Sequence, residues 1–573
     1  MICYLRVTRI VVIVDALSTS DRELIAMHKP LIRRTLLTFV APLALVVAVA
    51  CGSSGGPPSL PTEDEQVAPT ATQPAIQQPT ALPTQASSSD DVDASTPSPT
   101  ETVSTQTPTS SSSAKYDTVI TMSKIFQGIS STVFPDLSPS PARAIDGLKS
   151  AGDSGDKSMA PVIVTLMRFI NQQDVFDEAV LTLQKLTGQD FGDTPTDWPK
   201  WYEWLGNNLD EYAPPDGYAQ LKRRFFASID PNFELLLEGY EDNSRIEPFE
   251  VEWGGVGPDG IPPLENPPNI PADQADYLAD QERVFGVSIN GEHRAYPLRI
   301  MNPHEMANDV LGGEPISLAY CTLCGSGIAY SGKFNGTETT FGTSGFLYRS
   351  NKLMYDRETF SIWNQESGEP VIGPLFDSGI RLDFFPTLLT TWGEWTAEHP
   401  DTTVLDIETG VYPAGRYFPE DNPNATYNAY FNSPDTMFPV WLRDDALETK
   451  DVVLGLKIGE QRKAYPVEVL QQERVVNDTL GDTNIVVLAS QISQAAKVYE
   501  RGNHEFSRVD GDDSTGVPMT IVDESGTVWE VTEDALVSTA DSTQTLPRIP
   551  THMSFWFGWF AFYPDTLVYE GGS

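Results

Sequence analysis

Two cysteines and a histidine are the residues of this chain with the clearest chemical potential. Cys321 and Cys324 form a Cys-x-x-Cys motif directly after the apolar run 316–320, and His304 lies a short distance upstream. Copper(I) and zinc prefer thiolate and imidazole ligands, and Met354 offers a further soft sulfur. We therefore predict a metal site formed by Cys321, Cys324 and His304, with copper or zinc as the bound ion.

Two other uses of the cysteine pair stay open. The pair could cycle between dithiol and disulfide with His304 as the activating group, although no thioredoxin-like βαβ pattern surrounds it. It could also be a structural disulfide in a non-catalytic surface interaction protein, because oxidation is the default for close cysteines outside the cytoplasm. Metal binding leads these hypotheses, although zinc lacks a certain fourth ligand.

The chain contains a near-repeat, and comparing its two copies indicates which residues are structural and which could be chemical. The segments that recur at one constant offset are Val284-Phe285-Gly286 as Val453-Leu454-Gly455, Ala295-Tyr296-Pro297 as Ala464-Tyr465-Pro466, and Asn308-Asp309 as Asn477-Asp478. At the same offset Ser490 and Ser493 replace the cysteines, and Glu473 replaces His304. A disulfide needed only to hold a turn would be expected in both copies, so its loss from one favours a function.

Three neighbouring residues, Tyr355, Asp356 and Arg357, are weaker candidates. They could orient an anionic substrate, but an internal ion pair between Asp356 and Arg357 is the simpler interpretation. Standard catalytic signatures are missing, because the chain has no zinc protease helix, nucleophile elbow, phosphate loop or dinucleotide fingerprint. The sequence therefore assigns no catalytic residue and leaves open whether the protein is an enzyme.

Strand patterns are expected to position the cysteines. Alternating apolar residues lead up to Asn290-Gly291, a two-residue hairpin signal, and a second hairpin is predicted at Asn335-Gly336. The apolar run 316–320 predicts a buried strand that ends at Cys321. Residues 298–310 predict a short helix closed by Gly312-Gly313, and this helix would carry His304.

The chain divides into four regions after its N-terminal part. Residues 116–245 have apolar positions at helical spacing and an aromatic cluster, which predict a HEAT-like helical module. A Gly- and Pro-rich linker is predicted at 246–280, a first β-rich repeat at 281–450 and a second, degenerate repeat at 451–573. The predicted fold class is α+β, with a helical module followed by a duplicated, mostly β domain with short helices.

The N-terminal region 1–51 is typical of an export signal. Positive charge precedes an apolar run that ends at Cys51 in a lipobox-like sequence, as in bacterial lipoproteins. We expect cleavage before Cys51, lipid on its thiol, a biological start at Met27, and a position on the extracytoplasmic face of the cell envelope. Residues 52–115, rich in Ser, Thr and Pro, predict a disordered tether or stalk.

The charge of the chain excludes one class of partner. Its 573 residues include 80 acidic and 37 basic side chains, which gives a formal net charge of −43. Nucleic acid is therefore not an expected partner, because neutralising phosphates requires clustered Lys and Arg. The same charge disfavours docking on anionic lipids, so the expected membrane contact is the lipid on Cys51.

A set of short motifs carries a family resemblance. The motifs are Ala295-Tyr296-Pro297, His304-Glu305, Asn308-Asp309, Tyr320-Cys321-Thr322-Leu323-Cys324-Gly325, Phe341-Gly342-Thr343-Ser344-Gly345, Leu353-Met354-Tyr355-Asp356-Arg357, Trp363-Asn364-Gln365 and Trp392-Gly393-Glu394-Trp395. With them, about half of the chain resembles the bacterial and archaeal family catalogued as domain of unknown function 3179. Asn302-Pro303 departs from that family, which tends to have tryptophan before the histidine. The resemblance implies no established activity.

Overall fold

The computed structural model describes residues 116–133 and 140–572. The predicted export signal, Cys51 and the predicted tether 52–115 lie outside this part of the chain. Among the helices of the described residues, none combines the length and the apolar character that crossing a membrane requires.

The N-terminal part of the described chain is helical, as predicted. Its helices are α1 (Thr118–Val133), α2 (Pro141–Ser154), α3 (Met159–Met167), α4 (Gln173–Thr187), α5 (Trp198–Gly206), α6 (Tyr218–Ile229) and α7 (Phe233–Leu236). Every residue of α3 is buried, because this helix is apolar on all sides. Gly188 ends α4 in the left-handed conformation, with φ at 71°, which a glycine adopts without strain. The HEAT-like character of the module stays a prediction.

The rest of the described chain is mostly β-structure with short helices, also as predicted. The helices are α8 (Leu298–Met301), α9 (Trp392–Glu398), α10 (Asn428–Phe431), α11 (Val467–Glu473) and α12 (Trp556–Phe562). The strands up to residue 405 are β1 (Val251–Trp253), β2 (Leu264–Glu265), β3 (Asn269–Pro271), β4 (Arg283–Ile289), β5 (Glu292–Pro297), β6 (Met306–Leu311), β7 (Glu314–Cys321), β8 (Ser326–Ser331), β9 (Lys333–Phe334), β10 (Thr337–Glu338), β11 (Phe341–Tyr348), β12 (Asn351–Asp356), β13 (Ile362–Asn364), β14 (Pro370–Ile372), β15 (Phe384–Phe385), β16 (Thr387–Thr391) and β17 (Thr403–Leu405). The later strands are β18 (Val452–Ile458), β19 (Gln461–Pro466), β20 (Val475–Leu480), β21 (Thr483–Ala489), β22 (Ala496–Glu500), β23 (Phe506–Arg508), β24 (Thr520–Asp523), β25 (Val528–Val531), β26 (Ala535–Ser538), β27 (Thr545–Ile549), β28 (His552–Phe555) and β29 (Leu567–Val568).

Two sheets of the β-rich part share an arrangement of four strands, to which the first sheet adds β3 at its edge. One has the order β16-β4-β5-β17-β3, and the other has the order β28-β18-β19-β29. In each, an antiparallel hairpin is flanked by a parallel strand, β17 beside β5 and β29 beside β19. The β4–β5 hairpin turns at Asn290-Gly291, where φ is 51° and 79°, as the two-residue turn signal predicts.

The cysteines lie on a third sheet of order β15-β8-β7-β6-β2. Strand β7 includes the predicted run 316–320 and ends at Cys321. A neighbouring sheet of order β1-β11-β12-β13-β14 approaches the same turn, and an eight-stranded sheet β20-β21-β22-β27-β26-β25-β24-β23 forms most of the second half. The predicted hairpin at Asn335-Gly336 connects β9 and β10.

The Gly- and Pro-rich segment 246–280 contributes a strand to three sheets. Strand β1 pairs with β11, β2 pairs with β6, and β3 pairs with β17. Through these pairings the segment is built into the β-rich part of the molecule.

The predicted helix over residues 298–310 is wrong. Helix α8 ends at Met301, and residues 306–311 form strand β6 instead. The backbone N–H of Glu305 still donates to Met301 O at 2.7 Å, but Glu305 has a φ of 58° and so cannot continue a right-handed helix. His304 therefore lies in the turn between α8 and β6.

The two β-rich halves contain contacts at matching positions. The hydroxyl of Tyr296 donates to Asp309 at 2.8 Å, and the hydroxyl of Tyr465 donates to Asp478 at 2.8 Å. Asn308 bonds to the backbone of Phe341, and Asn477 bonds in the same way to the backbone of Phe506. The indole N–H of Trp395 donates to Thr402, and that of Trp559 donates to Thr566.

Candidate functional site

The two cysteines form one tight turn at the end of β7. The N–H of Cys324 donates to the carbonyl oxygen of Cys321 at 3.2 Å, and Gly325 follows with a φ of 66°. A turn closed in this way keeps its end Cα atoms within about 7 Å, which suits a disulfide with little backbone movement. Both cysteines are free and buried, with 1% and 0% of their surface exposed.

A hairpin turn of the neighbouring sheet meets both sulfurs. The thiols of Cys324 and Cys321 approach the carbonyl oxygen of Ser350 at 3.6 and 4.0 Å, and the backbone N–H of Lys352 donates to Cys321 Sγ at 3.4 Å. Arg349 and Ser350 form the turn between β11 and β12, with φ values of 52° and 62°. Positive φ at both central residues is the geometry of a two-residue hairpin turn, and it fixes the direction of the Ser350 carbonyl.

The surroundings of the thiols are apolar on one side and charged on the other. Burial raises the pKa of Cys324 well above its ordinary value, and Cys321 raises it further. Burial lowers the pKa of Lys352, while the charges of Glu305 and Cys321 oppose that shift. The ammonium group of Lys352 donates to the backbone carbonyl of Glu305 at 2.6 Å. A cationic group is therefore buried close to Cys321.

Glu305 connects this turn to a distant part of the chain. Its Oε1 accepts hydrogen bonds from Thr322, inside the Cys-x-x-Cys motif, at 3.0 Å and from Tyr427 at 2.8 Å. Since Glu305 also holds Lys352 through its backbone, one residue fixes the motif, the buried ammonium and the covering segment.

Residues 406–451, which we call the strap, cover the cysteines. Apart from α10 and one short 3-10 turn, the strap is irregular. The hydroxyl of Tyr430 donates to the carbonyl oxygen of Leu323, between the two cysteines, at 2.6 Å. Tyr430, Phe438 and Val440 then complete an apolar cluster with both cysteines. The strap therefore shields the thiols on this side.

The second half of the chain closes the site from another side. The backbone N–H of Phe555 donates to the carbonyl oxygen of Cys324 at 2.7 Å. Helix α12 follows, and a Cβ placed on its Gly558 would lie 3.0 Å from Cys324 Cβ and 3.5 Å from Cys324 Sγ. Because Gly558 has no side chain, α12 can pack closely against Cys324.

The structure does not bring His304 to the cysteines. Its Nδ1 lies 2.7 Å from Pro262 O and its Nε2 lies 2.8 Å from the hydroxyl of Tyr417, so both ring nitrogens are engaged. The ring also stacks on Tyr412 at 5.0 Å. Burial lowers the pKa of His304 to about 4, so the ring is neutral, donates from Nδ1 and accepts at Nε2. Tyr417 and Tyr412 belong to the strap, and His304 anchors it.

One group of side chains in the described chain, away from the cysteines, has metal-binding geometry. The ligand atoms of Glu398, His399 and Glu533 all lie within 4.8 Å of one another. The ammonium group of Lys497 donates to Glu533 at 2.6 Å and also to Glu398. This lysine supplies the positive charge that a bound cation would bring.

The remaining predicted site residues are engaged elsewhere. Met354 packs in an apolar cluster that does not contain the cysteines. Asp356 accepts from the indole of Trp363 at 2.8 Å and from the turn that follows β12. Arg357 pairs with Asp259 at 2.9 Å and with Glu265 at 3.3 Å, and Tyr355 also donates to Asp259. Arg357 thus pairs with earlier acidic residues and not with Asp356.

Several residues of this site carry no signal in the sequence. Lys352 and Ser350 lie just before the predicted candidates, but their role depends on which strands are neighbours. Tyr427 and Tyr430 come from an irregular segment without periodicity, far from the motif along the chain. Only Glu305, next to His304 in a quoted motif, could have been found by inspection.

Comparisons with known proteins identify a family and no function. Residues 258–566 match the family model described as a protein of unknown function, DUF3179. No curated protein and no solved structure matches the chain.

Proposed function

The chain belongs to the DUF3179 family of proteins of unknown function, and from its site we propose that it carries out thiol–disulfide exchange through Cys321 and Cys324. The observation that carries the proposal is the meeting of two free thiols at the single carbonyl oxygen of Ser350. The thiols are surrounded by a closed turn, a buried charged group and a covering segment. A structural disulfide would not need these surroundings.

The two cysteines have different environments and therefore different roles. Cys321 Sγ accepts the backbone N–H of Lys352 at 3.4 Å, and the buried side chain of Lys352 lies close to it. Cys324 is fully buried, and its raised pKa keeps it protonated. We assign Cys321 as the attacking thiol and Cys324 as the resolving thiol.

The exchange needs a partner that carries a disulfide. The Cys321 thiolate attacks one sulfur of that disulfide, a mixed disulfide forms, and the other sulfur leaves as a thiolate. Cys324 then loses its proton and attacks Cys321 Sγ, which releases the second partner thiolate. The two protons lost by the cysteines end on the two partner thiolates, and two electrons pass from the pair to the partner. The reverse sequence oxidises a partner dithiol.

A redox titration tests this function. The full chain is equilibrated with mixtures of reduced and oxidised dithiothreitol, then alkylated and weighed by mass spectrometry. We expect one two-electron transition in which both thiols disappear together, and its absence in Cys321→Ser. A pair that never oxidises, or that oxidises and cannot be reduced again, would refute the proposal.

A metal site is the second candidate, and one observation favours it. Ser350 and Asn351 belong to the hairpin turn that faces the thiols. Their side-chain oxygens, Ser350 Oγ and Asn351 Oδ1, are buried and have no hydrogen-bond partner. The two sulfurs suit copper(I), whereas zinc would need further ligands of the Cys, His, Asp or Glu kind. Elemental analysis of the full chain purified under reducing conditions separates the two candidates. Stoichiometric copper or zinc that is lost in Cys321→Ser would favour the metal site over thiol exchange.

The architecture and location of the protein are also part of the proposal. We infer that the two β-rich halves arose by duplication, which the matching sheet orders and contacts support, and that the helical module is HEAT-like. The second half has serines in place of the cysteines, so the chemistry resides in the first. The lipobox-like sequence supports anchoring through lipid on Cys51 at the extracytoplasmic face.

A further inference from the structure

The second half has a turn that corresponds to the cysteine turn, and its serines are also buried, but the apolar side chain between them is exposed. Ser490 and Ser493 lie at the end of β21, at the positions that correspond to Cys321 and Cys324 at the end of β7. Leu323, between the cysteines, is 6% exposed under the strap, whereas Ile492, between the serines, is 60% exposed. Met519, which is 51% exposed, lines the same cavity as Ile492, and grouped exposed apolar side chains are typical of binding sites.

Ile492 lines a cavity of about 650 Å³. This volume lies within the range of small-molecule sites. Its apolar walls include Leu388, Val517 and Met519, and the side chain of Met519 is 51% exposed at its rim. The cavity lies between the first and second halves, since Leu388 comes from β16.

Glu394 of α9 supplies a carboxylate to this cavity. Its Oε1 accepts the hydroxyl of Ser490 at 2.6 Å, and its Oε2 accepts the hydroxyl of Thr390 at 2.8 Å. Each carboxylate oxygen can accept a second hydrogen bond, so Glu394 retains acceptor capacity. In the matching Trp-x-x-Trp segment of α12, Gly558 stands where α9 has Glu394. A carboxylate thus faces the serines, whereas the corresponding residue beside the cysteines, Gly558, has no side chain.

The charge of the lining determines which ligand fits. Asp280, Glu394 and Glu398 line the cavity, and no lysine or arginine does. Glu398 is already bonded to Lys497, which leaves Glu394 as the acceptor closest to the serine turn. The guanidinium of Arg474 lies behind the cavity wall, where it donates to the carbonyl oxygens of Ser514 and Gly516. The charged side chains that line the cavity itself are therefore acidic, which favours a cationic ligand over an anionic one.

We propose that this cavity is a binding site for a small organic cation, an ammonium group on an apolar body. The ammonium group donates to Glu394, and the apolar body packs against Ile492, Val517 and Met519. This activity is independent of the thiol chemistry, because the cavity contains none of the residues of the cysteine site.

Calorimetric titration of the full chain with three probes of equal chain length tests the site. The probes are hexylammonium chloride, sodium hexanoate and 1-hexanol. We expect hexylammonium to bind with a Kd below about 1 mM and at least tenfold more tightly than either other probe. Binding of hexanol or hexanoate as tight as that of hexylammonium, or no binding of hexylammonium, would overturn the proposal.

Variants locate the site. Ile492→Lys places a positive charge at the rim and should weaken hexylammonium binding by at least about tenfold, whereas Leu235→Lys, at an exposed leucine of α7, should not. Glu394→Gln should weaken hexylammonium by about tenfold and leave hexanol unchanged. Equal affinities for the two lysine variants, or an unchanged affinity in Glu394→Gln, would place the cation elsewhere and contradict the proposal.

Discussion

The Nε2 atom of His304 lies 2.8 Å from the hydroxyl of Tyr417, in the segment that covers the cysteine pair. Tyr417 in turn lies 2.5 Å from the hydroxyl of Thr409, and His304 Nδ1 is held by Pro262 O. A histidine that the sequence associates with the cysteines therefore acts on them indirectly, by fixing the strap above them.

The first prediction concerns the pH dependence of stability. Burial lowers the pKa of His304 from 6.5 to about 4, so between these values the unfolded chain binds a proton that the folded chain does not. The free energy of unfolding should therefore decrease as the pH falls from about 6.5 to 4, by up to about 3 kcal/mol. Urea unfolding at several pH values should show a smaller decrease in His304→Gln. The control variant His504→Gln should show the same decrease as the wild type. A decrease in His304→Gln equal to that of the wild type would contradict the role given to His304.

The second prediction concerns access to the thiols. Tyr430→Phe removes the hydrogen bond to Leu323 O, which is worth about 1 kcal/mol, and should raise the population with an open strap about fivefold. The rate of cysteine alkylation by iodoacetamide should increase by the same factor. Tyr569→Phe, which removes a hydroxyl contact with Glu473, is the matched control and should react at the wild-type rate. Equal rates in both variants would show that the strap does not control access.

The third prediction concerns the space beside Cys324. A Cβ at residue 558 would lie 3.0 Å from both Cys324 Cβ and Ser554 Oγ, so Gly558→Ala should lower the free energy of unfolding by about 1–3 kcal/mol. Gly415→Ala is the control, because nothing lies within 4 Å of a Cβ placed there. Denaturant unfolding should separate the two variants. If both unfold like the wild type, the close packing of α12 on the cysteine turn is disproved.

The sequence predicted the elements that local patterns determine. Asn290-Gly291 and Asn335-Gly336 signalled hairpins because few residues adopt their backbone angles, and the apolar run before Cys321 signalled a buried strand. The predicted helix over residues 298–310 is wrong because its apolar spacing fits a helix, whereas Glu305 adopts a left-handed conformation and bonds to residues that come later in the chain.

The surroundings of the cysteines could not be predicted, for a related reason. Lys352 reaches Cys321 only because the β11–β12 hairpin packs across β7, and Tyr430 reaches Leu323 from an irregular segment. Tertiary contacts of this kind leave no periodic pattern along a single chain. The Cys-x-x-Cys spacing indicated the chemistry, whereas the residues that control it depend on the fold.

Trapping of a mixed disulfide tests the central claim most directly. Cys324→Ser and Cys321→Ser are each treated with 2-hydroxyethyl disulfide, and adducts are located by peptide mass spectrometry. If Cys321 is the attacking thiol, Cys324→Ser forms an adduct on Cys321 at least about tenfold faster than Cys321→Ser forms one on Cys324. The wild-type protein should form an internal disulfide and retain no adduct. Equal rates in the two variants, or a wild-type protein that stays fully reduced, would contradict thiol exchange at this site.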